Sequence, residues 1–176
     1  MGVMVACVLC FLLSWQNRQL RLQQQVLQER ARGPYEGMYV PQVEVTDGKG
    51  LRHMLGSPEA QVQVLFFFTA TCPYCKRSAS TVLRAAHQLQ ASLANPPQVL
   101  GVCNCDAAQA AKFAQLHGFD FPVVTLSDKR ELALFRALQV PTLIAIDGQG
   151  RVRYSHVGVF NTMERVNELA AALRHK

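Results

Sequence analysis

One stretch constrains this chain more than any other: VQVLFFFTATCPYCKRSAS, Val62 to Ser80. Val62–Phe68 is almost continuously apolar. A strand with one face in water would alternate, so this run reads as a strand covered on both faces, as in a parallel sheet sandwiched by helices. The apolar run stops at Thr69, and Cys72 and Cys75 follow with two residues between them. Pro73 suits the first position of a helix, where its missing N–H costs nothing. That places Cys72 at the N-cap of a helix running from Pro73 to about Ala94, with Val82, Leu83, Ala86 and Leu89 on its apolar face. Asn95-Pro96-Pro97 ends it.

The same alternation of strand and helix continues. Before the run, QVEVTDGKG reads as a short strand, Val43 to Thr46, closed by a turn at Asp47-Gly48. After it come a buried strand at QVLGVC and a helix at AAQAAKFAQLHG with Gly118 as its C-cap. An extended FPVVTL follows, then a helix at DKRELALFRAL with Asp128 near its start. A strand at PTLIAI is joined by the turn DGQG to RVRYSHVG, and an amphipathic helix at TMERVNELAAALRH closes the chain. The order βαβα(β)αββα predicts an α/β domain, a central mixed sheet flanked by helices. With 49% hydrophobic and 17% charged residues, 176 residues suffice for one domain with a full core and short extensions.

Six cysteines fall into three close pairs, Cys7/Cys10, Cys72/Cys75 and Cys103/Cys105. They are too few for a disulfide-stapled scaffold, and their pairing points to local chemistry. For Cys72/Cys75 a zinc half-site needs a second ligand pair. Cys103-Asn104-Cys105 has only one residue between its thiols, and His87 and His156 show no ligand spacing, so neither a metal nor a cofactor is expected. A purely structural disulfide would close a very small loop and gain little from it. The redox reading explains more. A cysteine at a helix N-terminus faces unpaired N–H groups and the positive end of the helix dipole, which favour the nucleophilic thiolate. A second cysteine one turn in can then resolve a mixed disulfide. Lys76 and Arg77 add positive charge nearby. Val140-Pro141, directly before a buried strand, fits a cis X-Pro turn facing the cysteine pair. Cys103 is expected to be a small buried hydrophobe and Cys105 incidental. A Cys-x-Cys disulfide, an electron relay to Cys72/Cys75 and a soft-metal site are the alternatives.

Together, VLFFFTATCPYCK, VLGVCNCD and FPVVTLSDKRELALFRALQVPTLIAIDGQGRVRYSHVG resemble the thioredoxin fold from about Tyr39 to Leu173. The likeness is greatest to its membrane-anchored TlpA/ResA-type branch, which includes the MauD-like proteins. The resemblance implies that Cys72 attacks and Cys75 resolves. It implies that Pro141 is a cis-proline lining a substrate groove, that the backbone of Val140 pairs with an extended substrate, and that Pro73 and Tyr74 complete the substrate-facing motif. It implies a cysteine-containing protein substrate and a redox partner protein. The chain departs from the family pattern at Phe66, where a buried Asp is frequent, at Ser78, where Glu is frequent, and at Thr71, where Trp is common. Its Pro-Tyr dipeptide is the one typical of glutaredoxins. A peroxiredoxin-like thiol peroxidase is the runner-up: Thr69 lies three residues before Cys72, but Leu65 stands where that motif has proline. A non-catalytic module that kept the fold is the third reading, and the two retained cysteines oppose it.

The amino-terminal region has another character. Met1–Trp15 carries no charge and reads as a membrane anchor, although a helix of that length rises only about 22 Å against a hydrocarbon core of about 30 Å. A cleaved signal segment or a buried core helix are its alternatives. Residues 16–38 read as a helical spacer, broken at Gly33, Pro34 and Gly37, before a domain spanning 39–176. Leu13, Leu20 and Leu27 are seven apart, which allows a short coiled-coil dimer. The expected location is a single-pass membrane protein with an extracytoplasmic domain. Arg18 and Arg21 after the apolar run count against that orientation. The net charge of +6 is scattered, with no basic stripe interleaved with aromatics, so nucleic acid is not an expected partner.

Overall fold

The computed structural model describes residues 9–22, 24, 33–58 and 60–174. It divides into two units, residues 1–32 and residues 33–176. In the first, helix α1 covers residues 9–22, with Phe11 and Trp15 exposed. No helix among the described residues is long and apolar enough to cross a membrane. The anchor expected over 1–15 is thus not found as a spanning helix among the described residues. Residues 1–8 and Leu27 lie outside the described residues.

The second unit is built on the sheet predicted above. Its strands are β1 (Val43–Thr46), β2 (Arg52–Leu55), β3 (Val62–Phe68), β4 (Gln98–Cys103), β5 (Val123–Thr125), β6 (Thr142–Asp147) and β7 (Val152–Val157). Its helices are α2 (Pro73–Ser92), α3 (Ala107–His117), α4 (Lys129–Leu134) and α5 (Met163–Arg174). A five-stranded sheet has the order β5-β4-β3-β6-β7. β3 lies at its centre, parallel to β4 and antiparallel to β6. This is the α/β thioredoxin-like architecture the sequence led us to expect.

The apolar run of β3 is explained by its two neighbours. Val64, Phe66 and Phe68 face one cluster with Cys75, Val82 and Leu89 of α2, Phe113 of α3 and Leu169 of α5. Leu65 and Phe67 face the other, with Leu132 and Phe135, Leu100, Ile144 and Val45. Each face therefore takes alternate residues of a strand that has no solvent side. The polar exception, Gln63, is fully buried and fully engaged. Its Nε2 donates to Met54 O (2.9 Å) and Gln98 Oε1 (2.8 Å), and its Oε1 accepts from Gly56 N–H (2.9 Å).

Two boundaries differ from the sequence reading. The β1 turn leads into a partner strand, β2, where the sequence reading assigns no element. Asp47 Oδ1 accepts from Lys49 N–H (2.8 Å) and Leu51 N–H (2.9 Å), closing a hairpin that pairs Thr46 with Arg52. Helix α4 stops at Leu134 rather than running to Leu138. Arg136 takes φ 52, and Ala137 N–H reaches back to Leu132 O (3.0 Å) while Arg136 N–H bonds Ala133 O (3.0 Å). This is a Schellman ending with arginine where glycine is usual, which is why no sequence signal marked it. At Gly118 the predicted glycine ending is present, with φ 67.

Candidate active site

The site forms where β3 gives way to α2. Pro73 occupies the first turn, and Cys72 is the N-cap with φ −70 and ψ 120. Its side chain makes no capping hydrogen bond, and no acidic residue sits in the first turn of α2. The sulfur thus belongs to the residue that opens a 20-residue helix, at the end that carries free amide donors and the positive pole. Cys72 is half-buried and Cys75, one turn in, is fully buried; both are free thiols.

Opposite Cys72 stands the segment before β6. The Val140-Pro141 peptide bond is cis, as the sequence reading anticipated. Cys72 Sγ lies 3.9 Å from Val140 O. Pro141 is buried and accepts from Gly158 N–H (2.8 Å), while Thr142 Oγ1 donates to Gln139 O (2.7 Å). The structure thus brings Cys72, Cys75, Val140 and Pro141 together across two neighbouring strands, β3 and β6. Pro73 and Tyr74 flank the sulfur on the exposed side. Tyr74 is 52% exposed, and the Arg77 guanidinium lies 4.7 Å over its ring.

Phe66, the position where the family often has an acid, is a fully buried ring stacked on Phe68 at 5.4 Å. Cys75 shares that apolar cluster. Burial pushes its thiol from an ordinary 9.0 to about 12, with the contact to Cys72 adding to the rise and a hydrogen bond with the Thr69 backbone opposing it. Ser78, where the family often has Glu, is buried and serves as a strut. Its Oγ donates to Tyr74 O (2.9 Å) and accepts from Phe160 N–H (2.9 Å), tying α2 to the loop after β7. The sequence pattern gave no hint of this strut, because its partner lies 82 residues away.

On one flank of Cys72 a groove is lined by Ala70, Thr71, Lys76, Gln109, Lys112, Phe113 and Leu116. His156 engages the loop after β7. Its Nε2 sits 3.1 Å from Val159 O, and burial holds its pKa below the usual histidine value. His87 pairs with Asp120 at 2.6 Å on the exposed far side of α2.

The second domain pair departs from expectation. Cys103 and Cys105 are joined in a disulfide, so Cys105 is not incidental and Cys103 is more than a packing residue. Chain-entropy arguments assign a three-residue loop only about 1.6 kcal/mol, roughly half the value for a fifteen-residue loop.

Residues 35–173 match the Redoxin family. The chain belongs to that family. Among curated proteins, none matches it in sequence. Among solved structures it is similar to a Chlorobium tepidum protein assigned as a thiol:disulfide interchange protein DsbE, with 22% identity, a TM-score of 0.66, and 81% of this chain and 97% of that one covered. It is similar to the peroxidoxin BcpB of Mycobacterium tuberculosis, with 21% identity, a TM-score of 0.66 and coverage of 80% and 97%. It is also similar to a secreted Mycobacterium tuberculosis disulfide oxidoreductase homologous to Escherichia coli DsbE, with 18% identity, a TM-score of 0.61 and coverage of 77% and 96%. At these identities the likeness is one of fold.

Proposed function

We propose that this redoxin-family thiol–disulfide oxidoreductase exchanges disulfides with cysteine-containing proteins through Cys72 and Cys75. The observation that carries the reading is the division of labour between the two sulfurs. Cys72 is reachable, at a helix N-terminus, 3.9 Å from the Val140 carbonyl, and Cys75 is sealed one turn behind it. The Cys72 thiolate attacks a substrate disulfide, forming a mixed disulfide and releasing one substrate thiolate. Cys75 then loses its proton and attacks Cys72 Sγ, which frees the second substrate thiolate and closes Cys72–Cys75. Electrons pass from the dithiol to the substrate, and a redox partner protein reverses the change. We assign the Val140-Pro141 segment, with Tyr74 and Pro73 beside the sulfur, as the face that pairs with an extended substrate strand.

The test is a redox titration of the full chain in glutathione and dithiothreitol buffers, beside Cys72→Ser and Cys75→Ser. A two-electron couple that needs both residues is the expected result. Peroxide consumption that survives Cys75→Ser would replace the reading with that of a thiol peroxidase, the activity class of one structural relative.

The uncharged Met1–Trp15 segment and the helical stretch after it further support tethering at a membrane, with the redox domain on the extracytoplasmic side and a redox partner at the same surface. Membrane fractionation with and without alkaline carbonate checks the tether. Protection of Cys72 from an impermeant thiol reagent in intact cells would overturn the orientation.

A further inference from the structure

A second pair of sulfurs lies at the edge of the sheet that carries the first. In the β3–β4 register Phe68 pairs with Cys103, and Asn104 N–H donates to Phe68 O at 2.9 Å. Phe68 stands four residues before Cys72, so the two strands deliver both pairs to their common C-terminal edge. The pairs are also built alike. Cys75 and Cys103 are fully buried in one apolar cluster, and Cys72 and Cys105 pack half-exposed against that same cluster. They differ in oxidation state: Cys72/Cys75 is a dithiol while Cys103–Cys105 is a disulfide. A bond spanning a single intervening residue staples no distant parts of the chain. A structural role therefore explains it poorly.

We propose that Cys103–Cys105 is a second redox centre that exchanges electrons with Cys72/Cys75 inside one chain. The inference rests on the thiol–disulfide reading of Cys72/Cys75 given above. The Cys72 thiolate attacks Cys105, the half-exposed sulfur. A Cys72–Cys105 bond forms, the Cys103–Cys105 bond breaks, and the electron pair leaves on Cys103. Cys75, losing its proton, attacks Cys72 Sγ. The Cys72–Cys75 bond forms, and Cys105 leaves as thiolate. Two electrons have moved from the first pair to the second, and the two protons given up by Cys72 and Cys75 balance those taken by Cys103 and Cys105. No outside oxidant is consumed. Run backwards, the same steps recharge the first pair, so a single domain holds four electrons instead of two.

The full chain is reduced completely and given one two-electron equivalent of oxidant. Free thiols are alkylated at intervals, and the disulfides are mapped by peptide mass spectrometry. The expected result is a one-disulfide population shared between Cys72–Cys75 and Cys103–Cys105. The same ratio should be reached when the protein starts with either bond closed, at a rate that does not change over a tenfold range of protein concentration. In Cys75→Ser, where the second step cannot occur, a Cys72–Cys105 cross-linked peptide should appear. If Cys72/Cys75 cycles normally while Cys103–Cys105 never exchanges, or exchanges only in proportion to protein concentration, the relay is overturned and the function proposed above stands. If Cys72/Cys75 fails to close at all, that function falls and the relay with it.

Discussion

Two strand-to-helix junctions lie side by side at the C-terminal edge of this sheet, and they use the same backbone geometry for opposite ends. At the β4–α3 junction Asp106 is the N-cap, and its carboxylate accepts from Gln109 N–H at 2.7 Å. At the β3–α2 junction Cys72 is the N-cap, and its side chain makes no such bond. The first junction spends its cap position on stability; the second leaves its helix end to a sulfur. The second cysteine pair sits one residue short of that advantage, since Cys105 precedes the cap that Asp106 occupies. One residue of offset therefore separates a free thiol at a helix terminus from a disulfide beside one.

The strongest way to break this comparison is Cys72→Ser. Disulfide reduction should fall by roughly 10⁴-fold or more, the scale seen when a nucleophile is deleted. Serine is a good N-cap, so the same variant should gain about 0.5–1 kcal/mol of stability in urea titrations. A variant that kept turnover, or that lost stability, would show that the cap position was not reserved for reactivity.

A second expectation concerns pH. Cys75 keeps its proton in the folded chain up to about 12, against 9.0 for an ordinary thiol. Below pH 9 both states hold the proton and the stability is fully present. Above it only the unfolded chain loses the proton, so stability declines toward pH 12 by about 1.4 kcal/mol per pH unit. Tyr154, raised by burial from 10.0 to about 12, steepens the fall above pH 10. Cys75→Ala should remove one proton's worth of slope from urea midpoints measured between pH 7 and 11. The bonded Cys103–Cys105 pair contributes none.

A smaller effect is expected at Ser78. Ser78→Ala leaves the Phe160 N–H unpaired in a buried place and should cost about 1–3 kcal/mol, read as a lower urea midpoint. Smallest is Asp106→Ala, which uncaps α3 for about 1 kcal/mol and shifts Tm by roughly 2–4 °C, with disulfide reduction unchanged. Equal losses of reduction rate in Asp106→Ala and Cys72→Ser would erase the distinction between the junctions.

Much of this was legible in the chain. The apolar run of β3, the proline after Cys72, the Asn-Pro-Pro stop and Gly118 each act through local chemistry: burial on two faces, a helix start without a donor, a helix stop, a left-handed ending. The cysteine pair and Pro141 could be paired in thought because each carries a recognisable backbone constraint. β2 was not legible, because Arg52–Leu55 offers only one fully buried side chain and owes its pairing to the Asp47 turn. The end of α4 was not legible either, since Arg136 takes a conformation its side chain does not advertise.

The sequence by itself determined the α/β order, the central strand and the position of Cys72 at a helix start, because those follow from periodicity and from residues that act within one turn. Only the tertiary structure decided that the Cys72 sulfur faces the Val140 carbonyl, that Ser78 holds Phe160, and that Cys103 and Cys105 are bonded at the same edge as the dithiol. The first two join residues 68 and 82 positions apart, and the third depends on the register of two parallel strands. Contacts of that range are set by how the layers pack, which no local pattern encodes.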